Sequence, residues 1–152
     1  MEISTKMVLL ITMYGLPLWL AIRIRINKNK IKKMITENEV TDILGEELPE
    51  INNELEKLPD STNIYKTMEC FVGFTKQNIY KGNFKEVKHC FSIAEKMLEN
   101  GNNAVKNAIE NVYVYSLGTV VALSTLKTNE LKQLFNGSLR KEYNKQVCAS
   151  GI

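Results

Sequence analysis

The stretch Ile79–Asn102, IYKGNFKEVKHCFSIAEKMLENGN, decides the fold. Phe84, Val87, Phe91, Ala94 and Leu98 recur there at steps of three and four, the spacing of one face of an α-helix. Lys81–Gly82–Asn83 is a stop before that helix, and Asn83 with Glu86 has the spacing of a cap. Glu99–Asn100–Gly101–Asn102 closes it, with glycine at the position after the last turn.

Working outward, the same period continues on both sides. Upstream, Ser61–Thr62–Asn63 offers N-cap side chains. Ile64, Met68, Phe71, Val72, Thr75 and Ile79 then share one helical face. Further back, Thr36–Glu39 is a capping-box spacing ahead of Val40, Ile43 and Leu44. Leu48–Pro49 interrupts that helix, because the residue before proline is pushed out of the α region. Glu50–Leu58 resumes with Ile51, Leu55 and Leu58 inward, and Pro59–Asp60 ends it. Downstream, Ala104–Leu126 is apolar on most faces, as suits the centre of a bundle. Its run Val112–Tyr113–Val114–Tyr115 alternates β-formers, but no second strand run exists to pair with it. Thr128 opens a short helix bearing Leu131, Leu134 and Phe135. Asn136–Gly137 is a turn, Ser138 caps a last helix with Leu139 and Tyr143, and Cys148–Ile152 is expected to fray. The expectation is an all-α bundle of about five to six helices, preceded by an N-terminal hydrophobic helix.

Charge divides the chain more sharply than hydropathy does. Residues 1–33 carry seven Lys/Arg against one Glu, residues 34–60 one Lys against nine acids, and residues 61–152 twelve Lys/Arg against seven Glu. The overall +3 is therefore an average of unlike regions and no nucleic-acid signature. Residues 34–152, taken as the helical domain, are slightly acidic. Three cysteines without close spacing, Cys70, Cys90 and Cys148, argue against a disulfide framework and for a reducing compartment.

Residues 1–33 are read as a separate segment. Met7–Ile22 is almost wholly apolar and is closed by Arg23, Arg25, Lys28, Lys30, Lys32 and Lys33. A membrane helix needs roughly 20 residues, and Ile24 and Ile26 extend this one if the arginines snorkel. The basic flank places the following domain on the cytoplasmic side. A cleaved signal peptide, a buried core helix, and a true translation start at Met34 stay open beside the anchor. The last makes the protein soluble and cytoplasmic.

No catalytic, cofactor-binding or metal-binding motif stands out. One histidine and scattered cysteines give no zinc spacing, and no EF-hand pattern is present. A nucleophilic cysteine would need a base and an orienting group, and neither can be read here; an enzyme site that forms only in three dimensions would gather around His89, Cys70 and Glu69. Lys76, Lys81, Lys85 and Lys88 interleave with Tyr80 and Phe84, which could stack bases. Lysine-rich helix ends are commonly solvated, however, and no nucleic acid is expected. The acids remain. Glu39, Asp42, Glu46, Glu47, Glu50 and Glu54 are the candidate contact surface for a basic protein partner, because opposite charge speeds encounter and rejects wrong partners.

Phe71–Glu99, with its KGNFKEV turn and Ala94, resembles a tetratricopeptide-type helix pair, although the Trp, Leu-Gly and closing Pro positions do not match. Met34–Ile152, through NAIENVYVYSL (Asn107–Leu117) and LRKEYNKQ (Leu139–Gln146), resembles small bacterial helical domains of uncharacterised function. Some domains of that kind look like immunity proteins. For those, the resemblance implies toxin binding as one role, and it transfers no catalytic residue. The combined expectation is a non-enzymatic helical protein-interaction domain tethered to a membrane, with a small enzyme or a nucleic-acid module as the alternatives.

Overall fold

The computed structural model describes residues 34–59, 63–123 and 128–149. The segment Met7–Ile22, its basic flank, the Ser61–Thr62 caps, the end of the 104–126 helix and residues 150–152 lie outside them. All the described elements are helical. They are α1 (Glu37–Glu47), a 3-10 turn (Pro49–Ile51) leading into α2 (Asn52–Leu55), α3 (Ile64–Lys81) and α4 (Phe84–Asn100). Then come α5 (Asn103–Ala108), a π-helical segment (Ile109–Val114), α6 (Tyr115–Leu123), α7 (Thr128–Leu134) and α8 (Gly137–Ala149). No strand occurs among the described residues. A single parallel bridge joins Ile35 to Gly101, with Ile35 N donating to Asn100 O and Asn102 N to Ile35 O, each at 2.8 Å.

The caps follow local chemistry. Glu39 reaches back so that its Oε2 accepts from Thr36 N at 2.9 Å and Thr36 Oγ1 at 2.8 Å, satisfying groups that the first turn leaves unpaired. Asn63 Oδ1 accepts from the amides of Tyr65 and Lys66 at the start of α3. Asn102 Oδ1 accepts from Val105 N at the start of α5. Asn83 does not cap α4 as its spacing suggests. Its Nδ2 donates instead to Asn78 Oδ1 at 3.2 Å, closing the α3–α4 turn that Gly82 makes with φ +72°.

Gly101 also departs from expectation. It ends α4 in an extended conformation (φ −70°, ψ 155°). The reason for glycine there is close approach, because a Cβ would meet Met97 O at 2.5 Å and Val105 Cγ1 at 2.6 Å. At the other end of the fold α8 begins at Gly137 (φ +48°), one residue before the expected cap. Its N-terminus is capped from across the fold: Ser138 N donates to Glu95 Oε1 at 2.9 Å and Ser138 Oγ to Glu99 Oε1 at 3.1 Å. Cys148 and Ala149 continue α8, so the helix runs further than the fraying tail expected of it.

The predicted apolar faces form one core. Val40, Leu44, Met68, Phe71, Val87, Phe91, Leu117, Leu131 and Leu139 are all buried. Five aromatic rings cross it in sequence. Phe71 stacks on Tyr113 at 4.6 Å between centroids, Phe91 meets Tyr113 edge-on at 6.5 Å, Phe91 stacks on Phe135 at 4.4 Å, and Phe135 stacks on Tyr143 at 4.9 Å. The rings tie α3, α4, the π segment, the residue that follows α7, and α8 together, and stacked and edge-on ring pairs stabilise beyond their buried area.

The long apolar helix does not run straight through. The wider i→i+5 winding of Ile109–Val114 brings Ile109, Tyr113 and Val114 inward together. Gln146 Nε2 of α8 donates to the carbonyl of Glu110 within that winding at 2.8 Å.

Candidate functional site

The Leu48–Pro49 break shapes the polar side of the domain. Leu48 leaves α1 in a non-helical conformation (φ −133°, ψ 74°) with its own side chain fully buried. The chain then turns back as the 3-10 turn and α2. Asn52 Nδ2 donates to Gly45 O at 3.3 Å, and a side chain at 45 would collide with Asn52 Oδ1. Glycine at 45 therefore lets α2 close on α1. Two open clefts flank the returning segment.

The first cleft, of about 650 Å³, lies between α1 and α2. Asp42 and Glu46, one turn apart on α1, face Asn52, Leu55, Glu56 and Leu58 across it. The second, of about 600 Å³, lies between α2 and the α3–α4 hairpin. Glu50, Asn53 and Glu54 form one side, while Cys70, Gly73, Phe74 and Gln77 line its α3 wall. Lys81, Asn83 and Glu86 complete it at the hairpin turn, with Asn78 buried beneath.

The six expected contact acids are thus sorted by the fold. Asp42 and Glu46 line the first cleft, and Glu50 and Glu54 the second. Glu54 also bridges to Lys57 at 2.7 Å on the surface. Glu39 belongs to the start of α1. Glu47 turns toward α4, where Lys96 Nζ lies 3.2 Å and His89 Nε2 3.6 Å from its carboxylate. The Lys96 hydrogen bond holds the Glu47 carboxyl below its ordinary value. His89 is bracketed, since its Nδ1 lies 3.4 Å from Glu86.

His89, Cys70 and Glu69 do not share a cleft. Neither His89 nor Glu69 lines the cavity that Cys70 lines, and Glu69 pairs with Lys66 at 3.1 Å. Burial and then the charge of Glu54 push the Cys70 thiol up, the opposite of what activates a nucleophile. Cys90 is buried in the core, and burial raises its thiol to about 12. Beside it Thr75 Oγ1 lies 3.1 Å from Tyr113 Oη, and burial raises the Tyr113 phenol well above its usual range. Among the described residues no group of three or more His, Cys, Asp or Glu is placed to hold a metal ion. Of the basic residues, Lys81, Lys85 and Lys88 are exposed and Lys76 is half-buried. Tyr80 stands 74% exposed among them.

The sequence did not point to Gly73, Phe74, Gln77 or Glu56 as site residues. The one available signal was Gly73, a glycine inside a helical period with no turn residues around it.

The architecture defines an all-α domain whose polar clefts gather around one short returning segment. A family model matches residues 41–149, and the chain belongs to that family, Domain of unknown function (DUF7674). No match to the chain was found among curated proteins or among solved structures.

Proposed function

We propose that this domain acts by binding, not by catalysis, and holds a basic protein partner on the edge formed by α1, the 49–55 segment and the α3–α4 turn. One observation carries the reading. The two clefts are lined by Asp42, Glu46 and Glu56 on one side and Glu50, Glu54 and Glu86 on the other, against Lys81 as the one lining lysine. Such a surface attracts a cationic partner over distance and rejects acidic ones. Residues 7–22 tether the domain to a membrane in this reading, with the basic flank holding it on the cytoplasmic side. No helix among the described residues is long and apolar enough to cross a membrane, so the tether rests on the N-terminal sequence alone. Neutralising a cationic toxin, as immunity proteins do, is one activity such a surface serves.

The test is retention of partners by the full chain and by a variant carrying Asp42→Lys, Glu46→Lys, Glu50→Lys and Glu54→Lys. The wild type is expected to retain a basic protein that the variant loses, with both forms melting alike. Retention of the same proteins by both forms would contradict the reading.

A further inference from the structure

The α3 wall of the cleft between α2 and the α3–α4 hairpin is bare at Gly73. Gly73 sits inside the 18-residue α3, is exposed, and has no positive φ. A Cβ added there would meet nothing within 4 Å. Gly45 and Gly101, by contrast, are pressed against neighbouring atoms, and Gly82 and Gly137 take positive φ. Glycine at an exposed helix-interior position destabilises relative to alanine, and nothing within the fold asks for it at 73. Its effect is to leave space beside Phe74, a half-buried ring that stacks on no other ring among the described residues. Around that space the side chains of Glu50, Asn53 and Gln77 make no hydrogen bond or ion pair among the described residues. Glu86 faces the cleft from the start of α4.

We infer, resting on the interaction reading above, that this cleft receives an arginine side chain of the basic partner. The guanidinium lies over Gly73 against the face of Phe74 and donates to the carboxylates of Glu50 and Glu86. Arginine fits better than lysine because its planar fork pairs with carboxylates and stacks on aromatic faces, whereas an ammonium is compact and strongly hydrated. Asn53 and Gln77 supply further acceptors for the remaining N–H groups. A cleft of about 600 Å³ exceeds one side chain, so the flanking peptide enters with it. Lys81 at the rim donates to a main-chain carbonyl of that peptide and disfavours a second cation.

The experiment uses ¹⁵N-labelled full chain titrated with acetyl-Gly-Arg-Gly-amide, and with the same peptide carrying citrulline or lysine in place of arginine. The arginine peptide is expected to shift the amides of Gly73, Phe74 and Gln77, with binding at least about tenfold tighter than the citrulline peptide, which lacks the charge. Gly73→Leu fills that space with a good helix former and is expected to abolish the shifts while melting no lower than wild type. Glu50→Gln is expected to weaken binding without moving the melt. Absent shifts, equal shifts with citrulline, or undiminished binding by Gly73→Leu would overturn the inference. If a partner lost on charge reversal still binds Gly73→Leu with full affinity, the arginine site fails and the interaction reading stands.

Discussion

Tyr113 shows what a single residue does here. Its ring is fully buried between Phe71 and Phe91, and its hydroxyl lies within hydrogen-bond distance of Thr75. Thr75 Oγ1 also donates to Phe71 O at 2.9 Å, so loss of the phenol leaves the threonine satisfied. Tyr113→Phe should therefore cost only about 0.5–1.5 kcal/mol in urea unfolding. Phe91→Ala removes a ring packed between Tyr113 and Phe135 and should cost about 3–5 kcal/mol by the same measurement. A cost for Phe91→Ala as small as an ordinary surface change, about 0.5 kcal/mol, would place it outside the core. Thiol chemistry gives an independent check. Cys148 is exposed, Cys70 half-buried and Cys90 buried with its thiol raised to about 12, so alkylation should proceed in that order. Cys90 should react only on unfolding. Phe91 was legible as a core residue because its neighbours repeat at helical spacing. The Thr75–Tyr113 contact was not, because its partners are 38 residues apart and no local pattern links them.

At the scale of elements, α1 and α4 are fastened by Glu47, Lys96 and His89. The folded Glu47 carboxyl titrates below its ordinary value of 4.5, chiefly through the Lys96 hydrogen bond. A depressed folded value means that folding favours the ionised form. The contribution is complete above the unfolded value and is lost as pH falls through the folded one. Glu37, lowered by its hydrogen bond from Asn102, acts in the same direction. Glu47→Gln should flatten the fall in melting temperature below about pH 4.5, with a small effect near neutrality because the pair is half-exposed. An unchanged acid limb would mean that the Lys96 bridge does not hold in solution. In α3, Gly73→Ala should raise stability by about 0.5–1 kcal/mol, since the new methyl meets no neighbour. Helix positions were readable from periodicity, and the Leu48–Pro49 break from proline sterics. The π winding was not, because the run Val112–Tyr115 only weakens ordinary helix preference and the burial of Tyr113 is a tertiary demand. Seven helical rods stand among the described residues, above the five to six expected, although the short ones at 49–55 and 128–134 were themselves read from their apolar spacing.

For the whole molecule, the core runs from Ile35 to Tyr143 through every described element except the short connections. Residues 34–152 are therefore expected to fold without 1–33 and to give a helical far-ultraviolet spectrum with one cooperative melt. The full chain is expected to sediment with membranes and the 34–152 form to stay soluble. Acidity of this edge was legible as composition, and the Glu39 cap from its spacing to Thr36, but the rest of the division was not. Periodicity on α1 alone does not show that Glu47 pairs with α4 while Asp42, Glu46, Glu50 and Glu54 face open clefts. On the proposed function, that edge attracts a basic partner by charge. The most direct measurement of that attraction is the association rate of the full chain with the protein it retains, followed across ionic strength. The rate is expected to fall by about tenfold or more from low to high salt, as in electrostatically steered encounters, and to lose this dependence in the Lys-substituted variant. A rate indifferent to salt in the wild type would contradict the proposed attraction.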